Sequence, residues 1–251
     1  MTAGRQVLLA ATDGTLRALD GRTGALRWKK RWGADDDSED TSYSLRDLPP
    51  FLVSHGKVYL AGHGTVEVYD AGSGEHRGRI TVPGEDSPYD TVRINASADT
   101  VYAASDKTVT AFDSPTGKRR WRTPLEDGAA PRGLTVFEGS LFLKDDDRLL
   151  RFDARTGRLV WDADVQGGSV PAVTGDRVIL GHDRKITCLR VSSAEPCGTM
   201  STAGMDETLM GPGGSIVLVS RMNFVEVLSP DLRPRSEWNA RQLLRGWGAT
   251  I

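Results

Sequence analysis

Cys188 and Cys197 are the only thiols in a chain of 251 residues, nine positions apart. Counted outward along one hairpin, Cys188 is expected to face Cys197, and the pair can close a disulfide or pack as small buried thiols. Four acidic phrases are the second source of chemistry. Asp20, Asp70, Asp113 and Asp153 each open the pattern Asp-x-x-Thr/Ser-Gly. A carboxylate, a hydroxyl and a glycine at that spacing could hold a cation or a phosphate. They could equally close a tight turn, since an Asp side chain accepts hydrogen bonds from backbone N–H groups two or three residues on. Repetition in four places favours the turn. The denser acidic runs, ADDDSED (34–40) and Asp145 to Asp147, match no calcium-loop spacing and read as a solvated loop and a hairpin turn. His55, His63, His76 and His182 form no ligand pair with one another or with a cysteine. The sequence contains no phosphate loop, nucleophile elbow or zinc-protease helix. The expectation is a protein with no catalytic residues and no metal.

A repeat positions these residues. LDGRTGALRW (19–28), YDAGSGEHRG (69–78), FDSPTGKRRW (112–121) and FDARTGRLVW (152–161) are one phrase written four times. Gly24, Gly74, Gly117 and Gly157 stand where the turn needs a left-handed backbone. Trp28, Trp121 and Trp161 follow on the returning strand, where a large ring can wedge between neighbouring sheets. Before each Asp runs an alternating strand (TLRALD, TVEVYD, TVTAFD, RLLRFD). Before that comes an apolar one (VLLAA, VYLAG, VYAAS, LFLKD), with a short turn between them. A fourth strand precedes the apolar one, as in FLVSHGK and LTVFEGS. Two looser copies follow, ITCLRVSSAEPCG (186–198) and FVEVLSPDLRPRSEW (224–238); the second keeps Trp238 as the ring. Leu19, Tyr69, Phe112, Phe152, Leu189 and Leu228 mark a period of ~40 residues with several strands per unit. The expected fold is all-β, a β-propeller of about six four-stranded antiparallel blades. Its repeats lie near 1–32, 43–82, 90–125, 131–165, 169–202 and 205–240. Residues 241–251 are expected to supply a closing strand to the first blade, because the two termini fall at the same phase of the period.

The phrase aromatic-Asp-x-x-Thr-Gly-x-x-x-Trp, preceded by a hairpin, resembles the repeat of the pyrroloquinoline-quinone-like (PQQ-like) propeller family. The resemblance runs along nearly the whole chain. It is strong in repeats one, three and four and weaker in two, five and six. Members usually have seven or eight blades, so six repeats can form a ring of their own or an arc of a larger propeller. The family's enzymes are quinone-dependent dehydrogenases, typically far longer, with a calcium site and often two adjacent cysteines over the cofactor. With its cysteines nine residues apart, this chain matches the scaffold without PQQ. Relatives of that kind include outer-membrane-assembly scaffolds and sensor domains of bacterial kinases. The resemblance therefore implies a non-catalytic binding module for a protein or a polar ligand. The alternative is a quinone-dependent oxidoreductase or a fragment of one.

Function in a propeller sits on the loops entering each blade, where otherwise similar repeats differ. Here they contribute Arg46, Asp47, Tyr89, Asp90, Arg132, Asp206, Glu207 and Trp247. Mixed charge with an aromatic or two suits a protein surface or a small polar ligand. A net charge of −2 and a pI near 6.1 give no nucleic-acid footprint. No apolar run approaches the ~20 residues of a membrane span, so no insertion is expected. The start MTAGRQVLLAATDG has no signal-peptide pattern. That implies the cytoplasm by default, or an extracytoplasmic place if the chain belongs to a longer anchored or secreted protein. A disulfide at Cys188 would favour the latter.

Overall fold

A computed structural model describes residues 2–3, 6–11, 14–31, 51–62, 64–82, 92–126, 129–165, 170–182, 184–201, 207–210, 216–219, 224–229 and 233–239. Only the backbone is described at 2–3, 207–210, 218–219, 224–225, 234 and 236–239. Every regular element among them is a strand. Thr2–Ala3, Gln6–Ala11, Thr15–Asp20 and Leu26–Arg31 (β1–β4) form the first sheet. Phe51–Ser54, Lys57–Gly62, Thr65–Asp70 and His76–Thr81 (β5–β8) form the second. Arg93–Ala96, Thr100–Ala104, Thr108–Asp113 and Arg119–Pro124 (β9–β12) form the third. The fourth holds Gly133–Phe137, Ser140–Lys144, Arg148–Asp153 and Leu159–Asp164 (β13–β16). The fifth holds Ala172–Thr174, Arg177–His182, Lys185–Arg190 and Pro196–Ser201 (β17–β20). The sixth holds Glu207–Met210, Ile216–Val219, Phe224–Leu228 and Pro234–Asn239 (β21–β24). Each is a four-stranded antiparallel meander in chain order. Two compact units, Met1–Asp127 and Gly128–Ile251, hold three sheets each.

Burial follows strand position. The second strands are the most covered and largely apolar, buried along their whole length at Thr100–Ala104 and Ser140–Lys144. A short apolar run without alternation is what a strand packed on both sides requires. The last strand of each of the first five sheets is largely exposed, with one or two partly or fully covered positions. In the first unit, Leu8, Leu16, Val58 and Tyr69 make one core between sheets, and Tyr59, Val66, Ile80, Val101 and Phe112 the next. In the second unit, Phe142, Leu149, Val178 and Leu180 play that part, followed by Ile179, Ile186, Ile216 and Leu228.

Every sheet carries a register shift at the same place, between its third and fourth strands. Ala18 faces Trp28 and Leu19 faces Leu26, which leaves Arg27 as an extra residue outside the ladder. This bulge corrects the expectation that Cys188 and Cys197 face each other. Cys188 is opposite Gly198, and Cys197 is the bulged residue. The two are joined in a disulfide all the same, with Cα atoms 5.1 Å apart.

The sixth sheet brings a second correction. Leu228 pairs with Pro234, six residues on, where Leu19 pairs with Leu26, seven residues on. The turn is shorter by one residue, and Trp238 falls opposite Val225. It therefore occupies the row of Ile80 and Met200, and Ser236 holds the row of Trp28. In the first sheet, the place beside β2 is taken by Thr2–Ala3. The expected closing strand, 241–251, lies outside the described residues.

Candidate functional site

The repeated phrase is a turn that locks to the next sheet. Asp20 Oδ1 accepts the N–H groups of Arg22 and Thr23, at 3.0 and 2.9 Å, and the Thr23 hydroxyl at 3.0 Å. Asp153 does the same with Arg155 and Thr156. The turn bends back at a glycine with positive φ, +72° at Gly24 and +69° at Gly74. In three sheets the bulged arginine reaches the other carboxylate oxygen: Arg27 to Asp20 at 2.5 Å, Arg77 to Asp70 at 3.4 Å and Arg120 to Asp113 at 2.7 Å. These bonds stabilise the charged carboxylates. Arg120 first, then the Thr116 hydroxyl and N–H, lowers Asp113 to about 2. Arg27 does most to lower Asp20, the Ser73 N–H to lower Asp70, and the Thr156 hydroxyl to lower Asp153.

Docking between neighbouring sheets uses the residues beside that turn. Trp28 Nε1 donates to Ala71 O at 3.1 Å, and its ring lies over Gly74 so closely that a Cβ there would come within 2.7 Å. Trp161 Nε1 donates to Val191 O at 2.9 Å, and its ring tilts against Phe142 with centroids 6.0 Å apart. Trp121 sits the same way against Tyr102. Where Gly78 and Gly198 replace the ring, the apolar group moves two residues on. Ile80 is buried 3.5 Å from the position a Cβ on Gly117 would take, and Met200 packs on the core around Ile186 and Ile216. Buried Tyr59 and Ser114 share a 2.8 Å hydrogen bond, which Lys57 joins by donating to Ser114 Oγ at 2.8 Å. Burial raises the Tyr59 phenol despite that bond. This trio resembles a serine–lysine pair in composition, but the second and third sheets close over its hydroxyls.

Of the eight expected rim side chains, the structure describes Arg132 alone. Arg46, Asp47, Tyr89, Asp90, Asp206 and Trp247 lie outside the described residues. Glu207 opens β21 opposite Val219, with only its backbone described. Exposed Arg132 forms an ion pair with Asp146 on the β14–β15 turn, through Nε and, at 3.1 Å, through Nη2. Its own N–H donates to Lys144 O. Lys144 is fully buried, and its ammonium donates to the carbonyls of Asp145 and, at 2.9 Å, Asp146. Burial pushes its pKa below the ordinary lysine value, against the pull of the neighbouring carboxylates. The sequence reading missed this cation. Aligning the repeats reveals it, since Lys144 stands where other copies have Ala10, Ala61, Ala104 and Gly181. Such a cluster can present hydrogen-bonding groups to a partner, but it contains no nucleophile paired with a base. Among the described residues, no group of three or more His, Cys, Asp or Glu is placed to hold a metal ion.

The repeat geometry has a counterpart among known families. The family model described as outer membrane protein assembly factor BamB matches residues 1–107 and 105–196. The chain belongs to that family. No curated protein matches it. The crystal structure of BamB from Moraxella catarrhalis is similar with a TM-score of 0.66 at 22% identity, over 94% of this chain and 71% of that one. The computationally designed Ika8 protein is similar with a TM-score of 0.61 at 15% identity, over 95% of this chain and 85% of the other. At these identities the likeness concerns the fold. With six four-stranded antiparallel sheets, the BamB-like chain is a PQQ-like β-propeller.

Proposed function

We propose that this chain is a non-catalytic propeller that binds a protein partner through the loops entering its blades. The observation that carries the reading is how the described polar groups are used. The Asp turns bind their own Thr, Ser and Arg residues, and Lys57, Tyr59 and Ser114 bind one another between sheets. Side chains that could have reacted are committed to holding the fold. The Arg132–Asp146 pair on the entry loop and hairpin turn faces solvent, where a partner can meet it. The family's description as an assembly factor supports the same reading. The disulfide suits action in an oxidising compartment.

The test has two arms. Purified protein given pyrroloquinoline quinone and calcium should develop neither a stoichiometric quinone chromophore nor dye-linked dehydrogenase activity. A photo-crosslinker in place of Arg132 should capture one defined protein in the native host, and Asp146→Lys should reduce the capture. Quinone-dependent turnover would replace this reading with the oxidoreductase one.

A further inference from the structure

Charge is unevenly shared among the outermost strands. β4, β8 and β12 carry four, two and three arginines and lysines and no acidic residue. β16, β20 and β24 together carry one arginine against Asp162, Asp164 and Glu237. In a chain of net charge −2, the first unit thus concentrates nine cations on three six-residue strands. Protection of sheet edges against aggregation is one ordinary use of charge on such strands. It does not account for this distribution: β20 has no charged residue, whereas four of the six residues of β4 are cationic.

We propose that the outer strands of the first three sheets form a cationic docking surface for an acidic segment of a protein partner. The inference rests on the protein-binding reading and adds to it the chemistry of the partner. Arg27, Arg77, Arg79 and Arg120 are held by carboxylates of their own sheets, which fixes their place along the strands. Lys29, Lys30 and Arg31 on β4 and Arg119 and Arg122 on β12 are exposed. They follow one another along extended backbone at ~3.3 Å per residue instead of converging on one point. That spread suits carboxylates strung along an extended polypeptide better than a single phosphate, which needs donors aimed at one centre. Continuity comes from the stacking of the sheets, Trp28 onto the turn before β8 and Ile80 onto the turn before β12.

The test uses the full chain and a fluorescent peptide of alternating Glu and Thr. A Lys–Thr peptide and phosphatidylglycerol vesicles serve as comparisons. The acidic peptide should bind, the basic one should not, and rising salt should weaken the complex. Lys29→Glu/Lys30→Glu/Arg31→Glu and Arg119→Glu/Arg122→Glu should each weaken it by about tenfold, as expected when several complementary charges are reversed. Arg155→Glu/Arg158→Glu, in the second unit, should leave it unchanged. Circular dichroism and melting of each variant verify folding, and glutamine replacements serve where a reversal unfolds the chain. Equal weakening by the second-unit control would overturn the proposal. So would unchanged affinity in both first-unit variants, or binding to vesicles in place of the peptide. If the charge-reversed chain still crosslinks its native partner at Arg132, the cationic surface fails and the protein-binding reading stands.

Discussion

Gly24 and Gly74 occupy the same place in successive turns with nearly the same φ, yet only Gly74 lies beneath a tryptophan. Gly24→Ala should cost about 1 kcal/mol, the strain of a side chain in the left-handed region. Gly74→Ala should cost clearly more, because the new methyl meets the Trp28 ring as well. Denaturant midpoints would show the order. The double variant Trp28→Ala/Gly74→Ala should fall short of the sum of its parts, since removing the ring removes the clash. The turn aspartates give a second prediction. Their folded pKa values lie below the unfolded value of about 3.9. Their contribution is therefore complete above about pH 4 and is lost as pH falls toward the value of about 2 held by Asp113. These groups are exposed, so each effect is small. Asp113→Asn should flatten the fall of melting temperature across that acid window; an unaltered slope would deny the turn its electrostatic part.

At the scale of strands and sheets, the wedge between neighbours occupies one of two adjacent rows. Within each unit it is Trp28 or Trp161 in one row and Ile80 or Met200 two residues on. Ile80→Ala should therefore be about as damaging as Trp161→Ala, near 3 kcal/mol in each case. Exposed Val160→Ala should stay within about 0.5 kcal/mol in the same chemical denaturation series. Reduction of the Cys188–Cys197 bridge should lower the melting temperature, since closing a loop of that size is worth roughly 2–3 kcal/mol. Repeat and strand pattern were legible because the copies pair an apolar strand with an alternating one, and the first four end on the same Asp turn. Repeats two and five read as weak copies because a glycine stands in the tryptophan row, and repeat five also has Arg190 in place of the turn Asp. The change of row shows up in strand register, which depends on a bulge that residue types do not announce. The same bulge hid the true partner of Cys188. Of the rim, Arg132 could be named from its loop. Its partner Asp146 depends on how the hairpin curls, whereas Lys144 was open to an alignment of the repeats, standing where other copies have alanine or glycine.

Taken whole, the molecule is acidic on average and basic in places. A chain with a pI near 6.1 ordinarily passes a cation exchanger at neutral pH. With nine cations on three strands of the first unit, this one should be retarded at low ionic strength. Lys29→Glu/Lys30→Glu/Arg31→Glu should elute earlier by more than its net charge change demands. Coelution with a second-unit charge reversal of equal size would mean that average charge alone governs. The residue left over at each bulge has a different consequence. Arg27, Arg77, Arg120, Val160, Cys197 and Arg235 are surplus to the ladder of their sheets. Three have become ion-pair partners, one half of a disulfide and one an exposed valine. Such a position can change chemical type without disturbing the pairing of the strands beside it. A lineage can rewrite it blade by blade without disturbing the fold, and what stands there records the history of each blade's outer face.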